Sequence, residues 1–292
     1  MVVSDAAFLA VDWGTTNRRV YAIADDGTVI ATERDDRGVL SIAKDAFAAE
    51  VGEIRARFGD LPVICAGMVG STRGWVEVPY APCPATLDDL AARLTWVEPG
   101  RTAIVPGVAA ASDVMRGEEV QVLGAVASGL VPGDALLCQP GTHCKWAQMT
   151  GGAIGDFRTT MTGELFALLQ RHSLLADFMT GDVADGPDFR DGLALAREGT
   201  PLSALFGERA GVVLGHRAAD GVAARVSGLL VGSDVAEQRL ASGETVYILA
   251  DARLGALYGA AVEAAGGVPM SIDSHAAFVA GITALWNAAH DR

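Results

Sequence analysis

Two Gly-Thr pairs, Gly14-Thr15 and Gly141-Thr142, occur in matching local contexts 127 positions apart (141 minus 14). Each follows a short apolar run and leads into a second extended run. Glycine lets the backbone turn sharply, and the N–H groups of such a turn can converge on an anion. Threonine hydroxyls add donors. We therefore expect two turns that hold the phosphates of one nucleotide, the first formed by Gly14, Thr15, Thr16 and Asn17. Two unrelated β-turns are the alternative.

Asp12 ends the first apolar run, directly before the first Gly-Thr turn. Magnesium prefers oxygen ligands and keeps several of its waters, so one carboxylate suits an ion that also binds nucleotide phosphates. Aspartate is also an ordinary turn former. The glycine and two hydroxyls that follow favour Asp12 as the ligand of Mg²⁺.

Glu118 and Glu119 follow Arg116-Gly117 at a predicted helix start. Adjacent carboxylates there could simply favour the positive end of the helix dipole. They could also supply the base that accepts a proton from a hydroxyl attacking a phosphate. Successive helical residues point about 100° apart, so only one of the two can face the reacting atoms. The residues alone leave open which one.

His143 and Lys145 lie just after the second Gly-Thr pair. In a strand their side chains share a face, which would bring an imidazole and a cation to the second phosphate turn. The alternative is a solvated Lys145 and a His143 that is hydrogen-bonded at the surface. We expect Trp146 to lie in the core.

Arginine is well suited to bidentate capture of a carboxylate, and several arginines lie near glycine-rich turns. Aromatic residues near these turns could face a sugar, although most aromatics next to apolar strands are core residues. The substrate-binding candidates are Arg19, Gly70, Ser71, Trp75, Arg116 and Arg158.

The elements that must position these residues follow from periodicity and turn signals. Strands are predicted at 8–12, 18–24 and 28–33, a helix at 44–58 and a buried strand at 62–67. This βββαβ order is that of ribonuclease-H-like domains. It predicts an α/β protein.

The second half repeats this pattern, and Pro132-Gly133-Asp134 suggests a boundary. We expect ribonuclease-H-like domains at 1–130 and 131–292 with a nucleotide cleft between them; the last helix packing back on the first domain is left open. The predicted elements are a joining helix near 117–129, strands at 135–139, 144–149, 153–158, 245–250 and 268–272, and helices at 162–174, 189–197, 222–240, 253–265 and 275–289.

Composition narrows the function. The chain has 36 acidic and 22 basic residues, which gives a net charge of −14. This charge argues against nucleic acid or an anionic membrane as a partner. The four cysteines are scattered without a Cys-x-x-Cys pair and are expected to be reduced. We find no signal-peptide pattern and expect a cytoplasmic protein. A homodimer is compatible with the sequence, which does not determine the oligomeric state.

Beyond the two turns, longer stretches of the sequence match a known family. They are 11–17, 66–71, 74–75, 79–80, 104–107, 114–119, 140–146, 156–159, 161–165 and 172–173. In these stretches the sequence resembles the 2-dehydro-3-deoxygalactonokinases, sugar-acid kinases of the actin-like and hexokinase-like ATPases.

The resemblance implies ATP- and Mg²⁺-dependent phosphorylation of the 6-hydroxyl of 2-dehydro-3-deoxy-D-galactonate in galactonate breakdown. Gly117-Glu118-Glu119 is also similar to the glutamate pair of exopolyphosphatases, in which the first glutamate is catalytic, so Glu118 is implied as the base. The family's Gly-Thr-Ser-like turn near adenosine is replaced here by Ala250-Asp251-Ala252-Arg253, while Gly228 and Gly232 remain candidate neighbours of the nucleoside.

Two other functions fit the same fold. A polyphosphate or nucleotide phosphohydrolase would use Glu118 to direct water, but its long anionic substrate calls for a basic channel. A nucleotide-switched binding protein would need insertions for which 292 residues leave little room. Which sugar-acid epimer a kinase would prefer is left open.

Overall fold

The computed structural model describes residues 5–290. Up to residue 127 the helices and longer strands are, in chain order, β1 (Phe8–Trp13), β2 (Arg18–Ile23), β3 (Val29–Asp35), α1 (Phe47–Phe58), β4 (Val63–Gly67), β5 (Ala81–Pro82), α2 (Leu87–Ala91), β6 (Thr95–Glu98), β7 (Thr102–Ile104), β8 (Val108–Ala109), β9 (Val114–Met115) and α3 (Glu118–Ala127). From residue 135 onward they are β10 (Ala135–Gln139), β11 (Cys144–Thr150), β12 (Ala153–Thr160), α4 (Thr162–His172), α5 (Pro187–Ala196), α6 (Pro201–Val213), α7 (Val222–Glu237), β13 (Thr245–Leu249), α8 (Ala252–Ala264), β14 (Val268–Ile272) and α9 (Ser274–His290).

The first sheet has the strand order β3-β2-β1-β4-β7-β6. Strand β1 pairs antiparallel with β2 and parallel with β4, and β2 pairs antiparallel with β3. Helix α1 provides the crossover between β3 and β4. The βββαβ order predicted from the sequence is confirmed, and it brings the carboxyl ends of β1 and β4 side by side.

Burial explains why these segments form the predicted elements. In β1, every residue except Asp12 is buried, as expected for a central strand covered on both faces. In α1, Phe47, Val51 and Ile54 recur at helical spacing and are completely buried. They join residues of β1, β2 and β4 in one apolar core.

The second sheet has the order β12-β11-β10-β13-β14, with β10, β13 and β14 mutually parallel. The predicted strands and helices of this half are present, and none of their ends differs from the prediction by more than three residues. A small third sheet has the order β5-β8-β9.

Several elements were not predicted: α2, α6 and β5 to β9. Strands β5, β8 and β9 contain two residues each, too few for a periodic pattern. In α6, Leu202 and Phe206 are exposed while Leu205 packs against the core, so apolar residues do not mark one face. Helix α1 begins at Phe47, three residues after the predicted start.

Two helix pairs pack so closely that glycine is required at the contact. A Cβ on Gly124 of α3 would lie 2.1 Å from the Ala277 oxygen of α9, and one on Gly281 would lie 2.1 Å from the Val120 oxygen. Similarly, a Cβ on Gly228 of α7 would lie 2.0 Å from the Phe189 oxygen of α5. Residues larger than glycine would force these helices apart.

Contacts divide the chain into two compact units. Unit one contains the described residues of Met1–Asp134 with Ala147–Phe157 and α9, and unit two contains Ala135–Trp146 and Arg158–Asp273. No helix between residues 5 and 290 combines the length and apolar character needed to cross a bilayer.

Candidate functional site

The first Gly-Thr turn links β1 to β2 in unit one. The Gly14 N–H donates to the Asn17 oxygen over 2.9 Å, which closes the turn. Val39 and Leu40 donate their N–H groups to the carbonyls of Gly14 and Thr15, so the turn is held from its carbonyl side. The side chains of Thr15, Thr16 and Asn17 are exposed.

Asp12 lies beside this turn in a row of charged side chains. It is directly opposite Arg19 of β2, and Arg19 is directly opposite Arg34 of β3. Asp12 keeps some exposed surface, but protein atoms surround its carboxyl, and this burial raises its pKa to about 6. Arg19 and Arg34 act to lower that pKa, whereas the nearby Glu118 acts to raise it. The Glu118 carboxylate therefore belongs to the electrostatic surroundings of Asp12.

Helix α3 begins at Glu118 because Gly117 makes a turn that other residues rarely adopt, with φ of 107°. A Cβ on Gly117 would lie 3.1 Å from the Gly67 Cα, so the helix start packs on the end of β4. Glu118 is half-buried, and its Oε2 accepts the Arg116 N–H at 3.1 Å. The first of the two glutamates is thus the one with access to solvent.

Glu119 is completely buried. Its Oε2 accepts the Gly117 N–H at 2.6 Å, while Oε1 has no hydrogen-bond partner. Burial is the main cause that raises the pKa of Glu119 to about 8, and the adjacent Glu118 adds to it. Glu119 is therefore predominantly protonated at neutral pH and holds the backbone turn at Gly117.

Arg116 is buried next to the loop that follows β4. Its Nη2 donates to the Val78 oxygen at 2.6 Å, and its guanidinium carbon lies 4.3 Å from the Tyr80 ring centroid. A Cβ on Gly70 would lie 2.7 Å from Nη1, so glycine makes room for the cation. Nε and Nη1 are buried without a partner.

Ser71 and Trp75 lie on the same loop as Gly70. The Ser71 hydroxyl donates to the Met68 oxygen at 2.7 Å. The Trp75 ring stacks on Phe47 with centroids 6.3 Å apart and packs against the apolar core. Gly70, Ser71, Trp75 and Arg116 thus belong to one region of unit one.

Arg19 has neighbours from α9. Its Nη1 lies 2.7 Å from the His275 Nε2 and 3.3 Å from the Tyr21 hydroxyl. A cavity of about 260 Å³ is lined by Asp12, residues of the first turn, Arg19, Arg34 and His275. The structure therefore brings two unpredicted basic residues, Arg34 and His275, to the predicted phosphate turn.

The second Gly-Thr turn lies in unit two and rests on the start of α4. A Cβ on Gly163 would lie 2.3 Å from the Gly141 oxygen, and the Glu164 N–H donates to the Thr142 oxygen at 2.8 Å. The His143 Nε2 lies 2.7 Å from the Glu164 carboxylate at the surface. Glycine at 163 thus allows helix and turn to touch.

The strand predicted at 144–149 is present as β11, which begins at Cys144, so His143 lies just outside it with an exposed side chain. The alternative of a solvated lysine is wrong: Lys145 is buried, and its Nζ donates to the Thr159 hydroxyl at 2.7 Å. Trp146 is buried, as expected.

A buried carboxylate, Asp234 of α7, connects four elements beneath this turn. It accepts hydrogen bonds from Trp146 Nε1 of β11 at 2.8 Å, the Thr162 hydroxyl of α4 at 2.8 Å and the Tyr258 hydroxyl of α8 at 2.7 Å. Burial raises the pKa of Tyr258, so its hydroxyl remains a donor. The network fixes the helix start on which the second turn rests.

Thr162 and Tyr258 also line a cavity of about 290 Å³ together with Gly141, Gly163, Asp251 and Arg253. Asp251 caps α8 by accepting the Leu254 N–H at 2.9 Å. The residues that replace the family's Gly-Thr-Ser-like turn therefore form a helix N-cap at the wall of this cavity.

Three other residues of unit two that were predicted to bind nucleotide or substrate do not line this cavity. Gly228 and Gly232 of α7 pack closely on Phe189, Leu193 and Ala196 of α5, which explains both glycines without a ligand. Arg158 lines a separate hollow of about 730 Å³ with Arg239, Ser233 and Glu237.

Sequence reasoning missed Arg34, His275 and Asp234. Arg34 was one residue beyond the predicted end of its strand, and a full-length strand would have placed it opposite Arg19. His275 lies 256 residues from its neighbour Arg19, and no local pattern indicates that contact. Asp234 lies within an apolar helix pattern, where a single acidic residue could have indicated a buried network.

Comparison with solved structures identifies the fold class. Over 97% of the chain, the structure is similar to the activator of 2-hydroxyisocaproyl-CoA dehydratase from Clostridium difficile with bound ADPNP, with a TM-score of 0.50, 10% identity and 96% of that chain covered. At this identity the similarity shows the fold alone, a mixed α/β fold of the actin-like ATPase class.

The chain belongs to the 2-keto-3-deoxy-galactonokinase family, whose family model matches residues 12–285. It is 37% identical to "Probable 2-dehydro-3-deoxygalactonokinase DgoK1" of Rhizobium meliloti (strain 1021), with 95% of each chain covered. It is 36% identical to the 2-dehydro-3-deoxygalactonokinase of Escherichia coli (strain K12), covering 97% of this chain and 98% of that protein. A Sinorhizobium meliloti crystal structure assigned to the same kinase has a TM-score of 0.89 at 36% identity, covering 96% of this chain and 98% of that one.

Proposed function

We propose that this protein is a kinase that transfers the γ-phosphoryl group of ATP to the 6-hydroxyl of 2-dehydro-3-deoxy-D-galactonate, in galactonate catabolism. The observation that carries the proposal is the grouping of Asp12, the Gly14–Asn17 turn and Glu118 at the carboxyl ends of β1 and β4, within the stretch that the family model matches. Family membership supports the kinase and not the phosphohydrolase.

Glu118 is our choice for the base that accepts the proton of the attacking hydroxyl. It is half-buried and oriented by the Arg116 N–H. Glu119 lacks solvent access and is predominantly protonated at neutral pH, so it suits a positioning role. Phosphoryl transfer depends mainly on positioning and charge stabilisation, for which a single well-placed carboxylate suffices.

The residues around Asp12 are compatible with magnesium. Within residues 5–290 no group of three or more acidic, histidine or cysteine side chains could form an all-protein metal site. Magnesium in nucleotide sites needs only one or two carboxylates, because waters and phosphates supply the other ligands. Asp12 would hold the ion, which when bound neutralises charge on the phosphates.

We further propose two ribonuclease-H-like domains, at residues 1–130 and 131–292, with a nucleotide cleft between them. The last helix would pack on the first domain. The second phosphate turn, Gly141 and Thr142 with His143 and Lys145 nearby, would hold the nucleotide from unit two. The 290 Å³ cavity beside Gly141 has the mixed apolar and polar lining that suits a nucleoside.

The sugar acid would bind in unit one near Gly70, Ser71 and Trp75, with an arginine paired to its carboxylate. Arg116 supports this because two of its buried N–H groups lack partners. Arg19 and Arg158 remain the other candidates. None of the four cysteines forms a disulfide, which is consistent with a cytoplasmic enzyme. A homodimer is proposed as its assembly.

A coupled ADP-release assay with Mg-ATP tests the function. We expect ADP to form only when 2-dehydro-3-deoxy-D-galactonate is added; equal ADP formation without it would exclude the kinase. The gluconate-derived epimer, assayed in parallel, measures selectivity at the single carbinol centre where the two acids differ.

A further inference from the structure

Four basic residues line the Asp12 cavity. Arg18 is already paired with Asp35 and Glu50, and of the other three, Arg19, Arg34 and His275, the activity proposed above accounts for only Arg19. Arg19 of β2 is directly opposite Arg34 of β3, and Asp12 of β1 is directly opposite Arg19. Residues directly opposite in antiparallel strands point to the same face of the sheet. The side chains of Arg19 and Arg34 therefore project from neighbouring strands on the face that carries Asp12.

Like charges directly opposite each other in a sheet are destabilising. Within residues 5–290, Arg34 forms no ion pair or side-chain hydrogen bond and interacts with Asp12 only through the electrostatic field. Two other arginines of the same sheet and its covering helix have carboxylate partners: Arg18 binds Asp35, and Arg57 binds Glu33. The pair Arg19 and Arg34 has the arrangement expected for an anion site.

His275 completes the cluster from above the sheet. It lies in the first turn of α9, where the helix dipole adds positive potential, and its Nε2 is 2.7 Å from the Arg19 Nη1. The open cavity of about 260 Å³ is also lined by Thr15 and Thr16. It has room for a phosphate group but is small for a complete nucleotide.

We propose that Arg34 and His275, together with Arg19, bind the phosphoryl dianion at the first Gly-Thr turn and thereby select ATP over ADP. The proposal rests on the kinase function. Two molecules can supply this phosphoryl group: ATP supplies it as the γ-phosphate before transfer, and the product supplies it as the 6-phosphate after transfer. Arg34 contributes one charge to this group and no contact to the rest of the nucleotide.

Isothermal titration calorimetry tests the proposal. The protein is titrated, in the presence of Mg²⁺, with the non-hydrolysable analogue ADPNP or with ADP. We expect Arg34→Gln to weaken ADPNP binding about tenfold to a hundredfold, the range of a charge-assisted hydrogen bond, and to leave ADP binding within about twofold. His275→Asn should act in the same direction with a smaller effect. Arg57→Gln is the matched control, since it removes a half-exposed arginine of the same unit that is paired with Glu33. It should change neither affinity.

Equal losses for ADPNP and ADP in Arg34→Gln, or no loss for either, would overturn the proposal. Titration with the phosphorylated sugar acid separates the two sources of the phosphoryl group. If Arg34→Gln loses affinity for ADPNP but not for the phosphorylated sugar acid, the site binds the γ-phosphate of ATP. If it loses affinity for both, the site also binds the 6-phosphate of the product. If the wild-type protein binds no nucleotide, the kinase function fails instead. Inorganic phosphate then tests the site alone, because it should raise the melting temperature of the wild type more than that of Arg34→Gln.

Discussion

Glu118 and Glu119 show how neighbouring residues of one type acquire different chemistry. Helix geometry turns Glu118 toward solvent and Glu119 into the core. Burial then raises the pKa of Glu119 to about 8, so the second carboxyl carries a proton under conditions in which a catalytic base must be ionised. The backbone turn at Gly117 fixes both orientations.

Substitution of the two glutamates should therefore have unequal effects. We expect Glu118→Gln to reduce kcat by about 10² to 10⁴, the range of general-base catalysis, with nucleotide affinity nearly unchanged. Glu119→Gln should keep kcat within about tenfold, because the amide oxygen still accepts the Gly117 N–H. ADP-release kinetics and calorimetry measure both effects. Strong residual turnover in Glu118→Gln would move the base elsewhere.

Burial of Glu119 also predicts a dependence of stability on pH. A carboxyl whose pKa is raised by folding stabilises the native state below its unfolded pKa, and this contribution is lost as the pH rises through the folded value near 8. Between about pH 6 and pH 8, wild-type stability should fall by about 2 kcal/mol relative to Glu119→Gln. Urea unfolding of the two proteins, without nucleotide, measures the difference. A difference that is constant with pH would show that Glu119 is ionised in the fold.

At the level of elements, each Gly-Thr turn is supported by a different structure. The first is held by the backbone of residues 38–40. The second rests on the start of α4, which Asp234 anchors to β11, α7 and α8. The Asp234 carboxylate accepts three hydrogen bonds, and each lost bond would leave a buried donor unpaired.

We expect Asp234→Asn to raise the KM for ATP about tenfold and to leave the KM for the sugar acid unchanged. The amide NH₂ cannot accept from the Thr162 or Tyr258 hydroxyl, so the start of α4 and the cavity wall lose their anchor. Initial-rate kinetics with each substrate varied in turn measures the two constants.

Glu208→Gln is the matched control for this prediction. Glu208 is a buried carboxylate of the same unit, bound to Arg217 and Arg225 and absent from the lining of the cavity beside Gly141. Both variants should lower the melting temperature, but only Asp234→Asn should affect ATP. Similar KM changes in both would mean that general destabilisation is the cause.

For the molecule as a whole, local patterns predicted most of the architecture. Hydrophobic runs such as 8–12 and 62–67, and the helical spacing of Phe47, Val51 and Ile54, depend on a few neighbouring residues, and the structure confirms them. The turn at Gly14 and the helix start at Glu118 were also recognisable, because glycine and acidic residues mark such positions.

Contacts between distant segments could not be predicted in this way. Arg34 reaches the site through strand register, and His275 reaches it through the packing of α9 on α3. A single sequence contains no signal for which surfaces will meet. The separate environments of Glu118 and Glu119 depend on the same long-range packing, which is why the sequence left the choice of base open.

The glycine contact between α3 and α9 imposes an order on biosynthesis. The helix that begins with Glu118 receives its packing partner from a segment that starts about 140 residues beyond Asp134 (274 minus 134). At about 5–20 residues per second, the ribosome needs roughly 7–28 s to bridge that gap. During this interval the apolar face of α3 that later packs against α9 is exposed to solvent. Chaperones can bind this face until α9 has been synthesised.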